Sequence, residues 1–168
     1  MAGERDDRYE ALGQVVEAAA VLEIALRMAY VALAGGGLAA IVAGGQEAHW
    51  LIDTCEILAR RHSELSDDER DAIRVALRAC REASHDRNRL VHDAWGMAVD
   101  GSAVTVASRT TSYEIAGRPW AIADIRQVAA GIAAAQQDLL SSVEDALGPA
   151  ALQTAQRQLA ADAQGRHP

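Results

Sequence analysis

The sequence predicts an all-α protein, an antiparallel bundle of four main helices with a small β-hairpin inserted between helices three and four. Half of its 168 residues are hydrophobic, yet only 4% are aromatic and phenylalanine is absent. The core must therefore be built mainly from Ala, Leu, Val and Ile, which favours closely packed helices over a large sheet. Apolar residues also recur at helical spacing over most of the chain, and one short segment alternates instead. At this length we expect a single domain with a substantial buried core.

Helix one is predicted over residues 4–34, where apolar side chains recur every three or four positions. It ends at Gly35-Gly36-Gly37, which we interpret as a helix stop and not as a phosphate-binding loop, because neither Lys-Ser nor Lys-Thr follows. A short apolar segment, residues 38–42, leads to helix two, which is predicted over residues 46–61. The inner side of helix two carries Trp50, Leu51, Cys55 and Leu58.

Helix three is predicted over residues 67–95. Ser66-Asp67-Asp68-Glu69 has the pattern of a capping box at its start, with acidic residues at the positive end of the helix dipole. After Gly96 the pattern alternates, and the turn Asp100-Gly101 lies between Met97-Ala98-Val99 and Ala103-Val104-Thr105-Val106. A two-residue turn flanked by β-forming residues indicates a small hairpin. A third strand is predicted over residues 111–115.

Helix four is predicted over residues 122–147 and ends at Gly148-Pro149. Residues 150–163 are expected to form either a terminal helix or a loosely docked tail. We therefore expect one helical domain at residues 1–148, followed by a C-terminal helix or flexible tail at residues 149–168.

The charge of the chain argues against one class of function. The formal net charge is −8 at pH 7, which does not fit a protein that coats nucleic acid through bulk electrostatics. All sixteen positive side chains are Arg. Every cation can therefore make planar, two-pronged contacts with phosphate or carboxylate.

The chain is expected to be cytoplasmic and not to span a membrane. Its first nine residues are highly charged, unlike a signal peptide, and Glu17, Glu23 and Arg27 interrupt its first Ala-rich stretch. Cys55 and Cys80 lie far apart within apolar surroundings, and we interpret them as reduced core residues. Because no metal-binding motif stands out, we expect neither a metal nor another cofactor.

Helix three carries the most chemically informative residues. On a wheel of about 100° per residue its apolar residues share the core side. A second side is acidic and carries Asp71, Glu82, Asp86 and Asp93. A third side, which we name the basic ridge, follows steps of three or four residues and consists of Arg70, Arg74, Arg78, Arg81, His85, Arg89 and His92.

Arg87 departs from this pattern, because it lies two heptads after Ile73 and points with the apolar residues. A buried Arg needs a partner. Glu23 is in line with the apolar stripe of helix one, so an Arg87–Glu23 ion pair is expected. That pair is either part of a functional site or a structural link between helices one and three.

Asn88 and His92 share a face of helix three, one turn apart. Arg87 lies about 140° from His92 around the helix, so one helix does not direct both side chains at a single phosphate. Either the long Arg side chain reaches around, or two copies of the helix meet across a dimer axis. His49 and His62 have no Cys or acidic partner at ligand spacing, and we interpret them as ordinary surface or boundary residues.

The run Arg87-Asn88-Arg89-Leu90-Val91-His92 resembles the signature of the HEPN superfamily. These all-helical domains carry an Arg and a His separated by four to six residues near a helix end, often with a polar residue directly after the Arg. Here the spacing is four, and Asn88 occupies the polar position. The resemblance extends loosely over the two long helices, the helix with the motif, the short insertion and the next long helix.

The resemblance implies a metal-independent endoribonuclease of the toxin or defence type that acts as a homodimer. His92 would move the proton of the ribose 2′-hydroxyl or of the leaving oxygen, for which its near-neutral pKa is suited. Arg87 would stabilise negative charge on the phosphate, and Asn88 would orient the His or the phosphate. RNA supplies its own nucleophile, so the reaction needs no metal.

Several alternatives stay open at this point. RNA affinity would come from Arg78, Arg81, His85 and Arg89 of the basic ridge, but that ridge equally fits a solvated face paired with nearby acids. Many HEPN members only bind partners, so a noncatalytic dimerisation or partner-binding module is the second hypothesis, and an unrelated helical protein is the third. An antitoxin or a nucleotidyltransferase is a partner that the first hypothesis allows.

Overall fold

The computed structural model of the chain describes residues 2–92, 94–97, 103–106 and 117–165. Within these ranges it describes all side chains except those of residues 2–5, 92, 94, 96–97, 103, 106 and 117–118. The described residues form six helices and three short strands. The all-α class predicted from composition and periodicity is confirmed.

The helices are α1 (Ala2–Ala34), α2 (Leu38–Ala43), α3 (Ala48–Arg61), α4 (Asp67–His92), α5 (Ile122–Leu147) and α6 (Pro149–Gly165). Predicted helices one to four correspond to α1, α3, α4 and α5. The apolar segment after the glycine run forms the short helix α2, and the segment after Gly148 forms α6, which packs against α1, α2 and α5.

The predicted end of helix three was wrong by three residues. Helix α4 ends at His92, and Trp95 lies in a strand. The Trp95 side chain explains the early stop, because its Nε1–H donates to the carbonyl oxygen of Leu90 at 2.8 Å. The last carbonyls of a helix have no intrahelical partner, and Trp95 satisfies one of them from outside the helix.

The strands β1 (Ala94–Met97), β2 (Ala103–Val106) and β3 (Gly117–Pro119) pair antiparallel in the order β1-β2-β3. Strand β1 begins three residues before its predicted start, because the helix ends early. The predicted turn Asp100-Gly101 and the predicted strand at 111–115 lie outside the described residues. Trp120 Nε1–H donates to Thr105 Oγ1 at 2.9 Å in the interior, which ties the sheet to the start of α5.

The core lies where α1 packs against α3 and α5, and where α4 packs against the same two helices. Its largest fully buried side chains include Leu26 of α1, Leu51 of α3, Leu77 of α4 and Leu139 of α5. Not every apolar residue of α1 joins the core: Val16 is 48% exposed, although Val15 beside it is fully buried.

The predicted capping box at the start of α4 is confirmed. Glu69 Oε2 accepts hydrogen bonds from the backbone N–H and the hydroxyl of Ser66, both at 2.7 Å, and the backbone N–H of Glu69 donates to Ser66 Oγ at 3.3 Å. The backbone hydrogen bond from Ser66 is the main reason why the pKa of Glu69 is lowered.

Cys55 and Cys80 are both buried and free of a disulfide, as predicted for core thiols. Within the described part of the chain, none of the helices combines the length and the apolar character that a membrane crossing requires.

Candidate functional site

An open cleft of about 530 Å³ lies beside the predicted motif. Its walls come from α1, α4, α5 and the connection that runs from α2 into the first turn of α3. The ionisable and polar side chains on its walls include Glu23, Arg27, His49, Ser84, Arg87 and Asn88. Two of the three predicted catalytic residues, Arg87 and Asn88, therefore line one cavity.

Arg87 is half-buried and Asn88 is exposed. The helical wheel placed Arg87 with the core, but the side chain lines the cleft because the neighbouring helices do not close over this part of α4. Arg87 Nη1–H donates to Asn88 Oδ1 at 2.9 Å. Asn88 therefore orients Arg87, where the resemblance implied that it would orient the His or the phosphate.

Glu23 lines the same cleft, and its recorded ion pair is with Arg27, one turn along α1. Glu23 Oε2 lies 3.4 Å from Arg27 Nη2. The Arg87–Glu23 ion pair stays a prediction, with both residues on the walls of one cavity.

Arg27 holds the α2–α3 connection in place as one wall of the cleft. Its Nε–H donates to the carbonyl oxygen of Ala43 at 3.3 Å, and its Nη2–H to that of Gln46 at 3.4 Å. One guanidinium thus holds the α2–α3 connection against α1. Sequence reasoning missed this role, because the carbonyls lie 16 and 19 residues away along the chain.

The first turn of α3 also borders the cleft. Its N-cap residue, Glu47, makes no side-chain cap, and the first turn holds no acidic residue. The positive end of the α3 dipole therefore adds to the positive potential that Arg27 and Arg87 create in the cleft. The carboxylates of Glu23 and Glu47 oppose this potential. His49 Nδ1 lies 3.4 Å from Glu47 Oε2, and both side chains are exposed, as predicted for His49.

His92 is the last residue of α4, and its side chain lies outside the described part. The backbone is helical from Arg87 through His92, so the two residues occupy different faces of one helix, as predicted. Five residues of an ideal helix separate the two positions by about 140° around the helix axis.

Much of the basic ridge is engaged in ion pairs within the chain. Arg70 contacts Asp67 at 2.7 Å, Arg74 contacts Asp71 at 3.1 Å, and Arg81 contacts both Asp53 at 2.8 Å and Glu56 at 3.2 Å. The hydrogen bond with the Asp53 side chain is the largest cause that raises the pKa of Arg81. Arg81, one of the predicted RNA contacts, therefore links α4 to α3.

The other predicted RNA contacts are Arg78, His85 and Arg89. Arg78 and His85 are exposed, and Arg89 is half-buried. In the described ranges, no ion pair is found for any of the three. Arg78 and Arg89 are therefore the described Arg residues of the ridge that can meet an external anion, and His85 lies between them along α4.

A second cleft, of about 490 Å³, lies between α4 and α5 and is acidic. It carries Glu82 and Asp86 of the predicted acidic side, together with Asp124 and Asp138 of α5. Among the described residues no group of His, Cys, Asp and Glu has the arrangement of a metal site.

The resemblance to HEPN proteins stays a prediction from the sequence at the end of α4. The cleft adds a place where Arg87 can meet a ligand. No family model matches the sequence, and no curated protein or solved structure is significantly similar to it.

Proposed function

We propose that the chain is a HEPN-like, metal-independent endoribonuclease of the toxin or defence type. The observation that carries this proposal is the position of Arg87, which lines an open cleft and is held there by Asn88. In the cleft its guanidinium can contact a substrate phosphate.

The proposed reaction is attack of a ribose 2′-hydroxyl on the adjacent phosphate. His92 takes the proton from the hydroxyl or delivers one to the leaving 5′-oxygen, and Arg87 stabilises the negative charge that develops on the phosphate. Asn88 fixes the rotamer of Arg87 through the 2.9 Å hydrogen bond. The 2′-hydroxyl serves as nucleophile, so the residues need only move protons and stabilise charge.

The proposal includes an antiparallel four-helix bundle with the hairpin after α4, and a homodimer in the cytoplasm. The divergence of Arg87 and His92 around α4 supports the dimer, because a second copy can bring a His92 toward the Arg87 of the first. Arg78, His85 and Arg89 are the proposed RNA contacts. An antitoxin or a nucleotidyltransferase is the proposed regulatory partner.

The second candidate is a noncatalytic HEPN-like dimerisation or partner-binding module. The intramolecular ion pairs of Arg70, Arg74 and Arg81 favour it, since they neutralise much of the basic ridge. The net charge of −8 also favours this candidate, because a negatively charged protein repels RNA.

Incubation of the purified protein with several labelled RNAs in EDTA separates the two candidates. We expect cleavage by the wild type and a loss of at least about a hundredfold in Arg87→Ala and His92→Ala, the usual scale for removing a charge-stabilising or proton-transferring group. The matched control is Arg157→Ala, which removes an exposed Arg on α6 and should cleave normally. If wild type and variants leave every RNA equally intact, the ribonuclease proposal is wrong.

A further inference from the structure

The cleft that Arg87 lines has an apolar floor. Ala19 and Leu22 of α1, Ala83 of α4 and Ile132 of α5 contribute to it. Helices α1 and α4 both pack against α5, so Ile132 lies between the two walls. The volume of about 530 Å³ is within the range of small-ligand pockets, roughly 300–1,000 Å³. The cleft can therefore hold one nucleotide, with the face of its base on the apolar floor.

Charged side chains border this floor from opposite walls. Glu23 lies one turn after Ala19 on α1, and Arg87 lies one turn after Ala83 on α4. A nucleotide carries its phosphate at one end and the hydrogen-bonding edge of its base at the other. With the phosphate on Arg87, a base that covers the floor presents its edge to the α1 wall, where Glu23 lies.

Glu23 offers a ligand hydrogen-bond acceptors at a fixed position. Its Oε2 lies 3.4 Å from Arg27 Nη2, and Arg27 is itself held by the carbonyl oxygens of Ala43 and Gln46. An ionised carboxylate accepts hydrogen bonds and donates none. The other carboxylate on the cleft, that of Glu47, is 83% exposed, whereas the Glu23 side chain is 41% exposed. Water therefore competes less for a ligand contact at Glu23.

An acceptor-only group distinguishes the four RNA bases by their Watson–Crick edges, on which single-stranded RNA is commonly recognised. Guanine presents two adjacent donors, N1–H and the N2 amino group, and one carboxylate can accept from both. Adenine and cytosine place a ring-nitrogen acceptor beside the amino group, and uracil has one N–H between two carbonyl oxygens. The paired, charge-assisted contact is therefore available to guanine and to none of the other three bases.

We infer that Glu23 selects guanine, so that a guanosine of the RNA substrate occupies the cleft. The base lies over Leu22 and Ile132, its N1–H and N2 amino group donate to the Glu23 carboxylate, and its phosphate contacts Arg87. Glu23 is also the predicted ion-pair partner of Arg87, and a bound nucleotide would replace that pair with one contact to each residue. The inference rests on the proposed function for the role of Arg87, and it names the base at which RNA is cut.

Titration calorimetry with free nucleoside monophosphates tests base selection without requiring cleavage. The wild type should bind GMP at least about tenfold more tightly than AMP, CMP or UMP, since a site built for hydrogen bonds rejects ligands that lack them. Glu23→Gln replaces one acceptor with a donor and should lose this preference. Arg87→Ala should weaken all four nucleotides alike, because the phosphate is common to them. Glu17→Gln, an exposed carboxylate of α1 outside the cleft, is the matched control and should keep the preference.

Two analogues locate the contact on the base. Inosine monophosphate lacks only the N2 amino group of GMP and should bind at least about tenfold more weakly. The 7-deaza analogue of GMP keeps the Watson–Crick edge and should bind as GMP does. In RNA, cuts should fall at guanosine, and Glu23→Gln should raise KM at those sites with little change in kcat, because its role is to bind the base and not to move a proton.

The two proposals fail separately. Equal or undetectable binding of the four nucleotides by the wild type, a preference that persists in Glu23→Gln, or one that is lost only in Glu47→Gln overturns the role of Glu23. RNA cut without base preference also overturns that role and leaves the ribonuclease proposal intact. Intact RNA in every assay, together with a GMP preference that Glu23→Gln abolishes, overturns the ribonuclease proposal and supports the guanine site.

Discussion

At the scale of single residues, Asn88 determines how Arg87 is presented to the cleft. Its side-chain oxygen accepts a hydrogen bond from Arg87 Nη1 at 2.9 Å. An exposed Arg side chain otherwise samples many rotamers, and each immobilised rotamer-rich side chain costs free energy when a ligand binds. The hydrogen bond to Asn88 restricts the Arg87 side chain in advance, so less of this free-energy cost remains when a ligand binds.

The buried thiols give a prediction at the same scale. Desolvation by burial is the main cause that raises the pKa of Cys55 and of Cys80 to about 12, and Cys80 Sγ–H donates to the carbonyl oxygen of Ala135 at 3.5 Å. Because the thiolate is the reactive form, we expect neither thiol to react with a thiol reagent at pH 8 in the native protein, and both to react in urea. Rapid modification of the native protein would contradict the burial of these groups.

The raised pKa of the two thiols also makes the free energy of unfolding depend on pH. The thiols stay neutral in the folded state, while in the unfolded chain they ionise near pH 8.5. Their contribution to the free energy of unfolding is therefore complete below about pH 8.5 and is lost as the pH rises toward 12. Urea titrations at pH 7 and pH 10 give the free energy of unfolding that each protein loses between these two pH values. This loss should be smaller in Cys55→Ala/Cys80→Ala than in the wild type.

The contacts of a side chain were predictable where they depend on sequence spacing. They were less predictable where the contacting residues are distant in the chain. The capping box of Ser66 and Glu69 is a local pattern, and its geometry is as predicted. Arg27 and His49 reach the cleft only because the α2–α3 connection folds back beside α1. No local pattern around either residue indicates that contact.

At the scale of elements, the helices follow the apolar periodicity, and the largest error in a helix boundary falls at the end of α4. The periodic residues of α4 continue toward Trp95, but the Trp95 indole binds the last turn from outside and the chain turns into β1. A helical wheel cannot show a contact such as the hydrogen bond from Trp95, because the donor lies outside the helix. It also assigns every charged residue to a face without showing which charges on a neighbouring helix meet that face.

Arg81 provides a test of which charges meet between neighbouring helices. It joins α4 to α3 through Asp53 and Glu56 at 2.8 and 3.2 Å. We expect Arg81→Ala to lower the free energy of unfolding by up to about 1 kcal/mol, the scale of exposed ion pairs, with a smaller effect at high salt. Arg78→Ala, one turn earlier on the ridge, should leave stability unchanged. If Arg81→Ala instead weakened RNA binding without affecting urea unfolding, its assignment as a structural link would be wrong.

At the scale of the whole molecule, the sequence predicted the fold class but left the last segment open. Helix α6 buries Leu152 and Ala155 in the common core and packs against α1, α2 and α5. The choice between docked helix and loose tail depends on a surface that α1, α2 and α5 build together. That surface is not visible in the sequence of residues 149–168 alone.

The contribution of α6 is measurable. Leu152→Ala should reduce the free energy of unfolding by about 2–3 kcal/mol, the lower part of the range for a Leu truncated in a core. Leu159→Ala is the matched control, since Leu159 only packs against the core from the side and is half-buried, and its effect should be smaller. Equal urea midpoints for Leu152→Ala and the wild type would show that α6 adds little to the fold.

We propose that Arg87 and His92 cleave RNA through its own 2′-hydroxyl. Mass spectrometry of the products formed in EDTA tests this proposal, with an RNA and the same RNA carrying one 2′-deoxy nucleotide at the cleavage position. We expect products that end in a 2′,3′-cyclic phosphate and begin with a 5′-hydroxyl, and no cleavage of the deoxy-substituted strand. Products with 3′-hydroxyl and 5′-phosphate ends, or cleavage at the deoxy position, would contradict it.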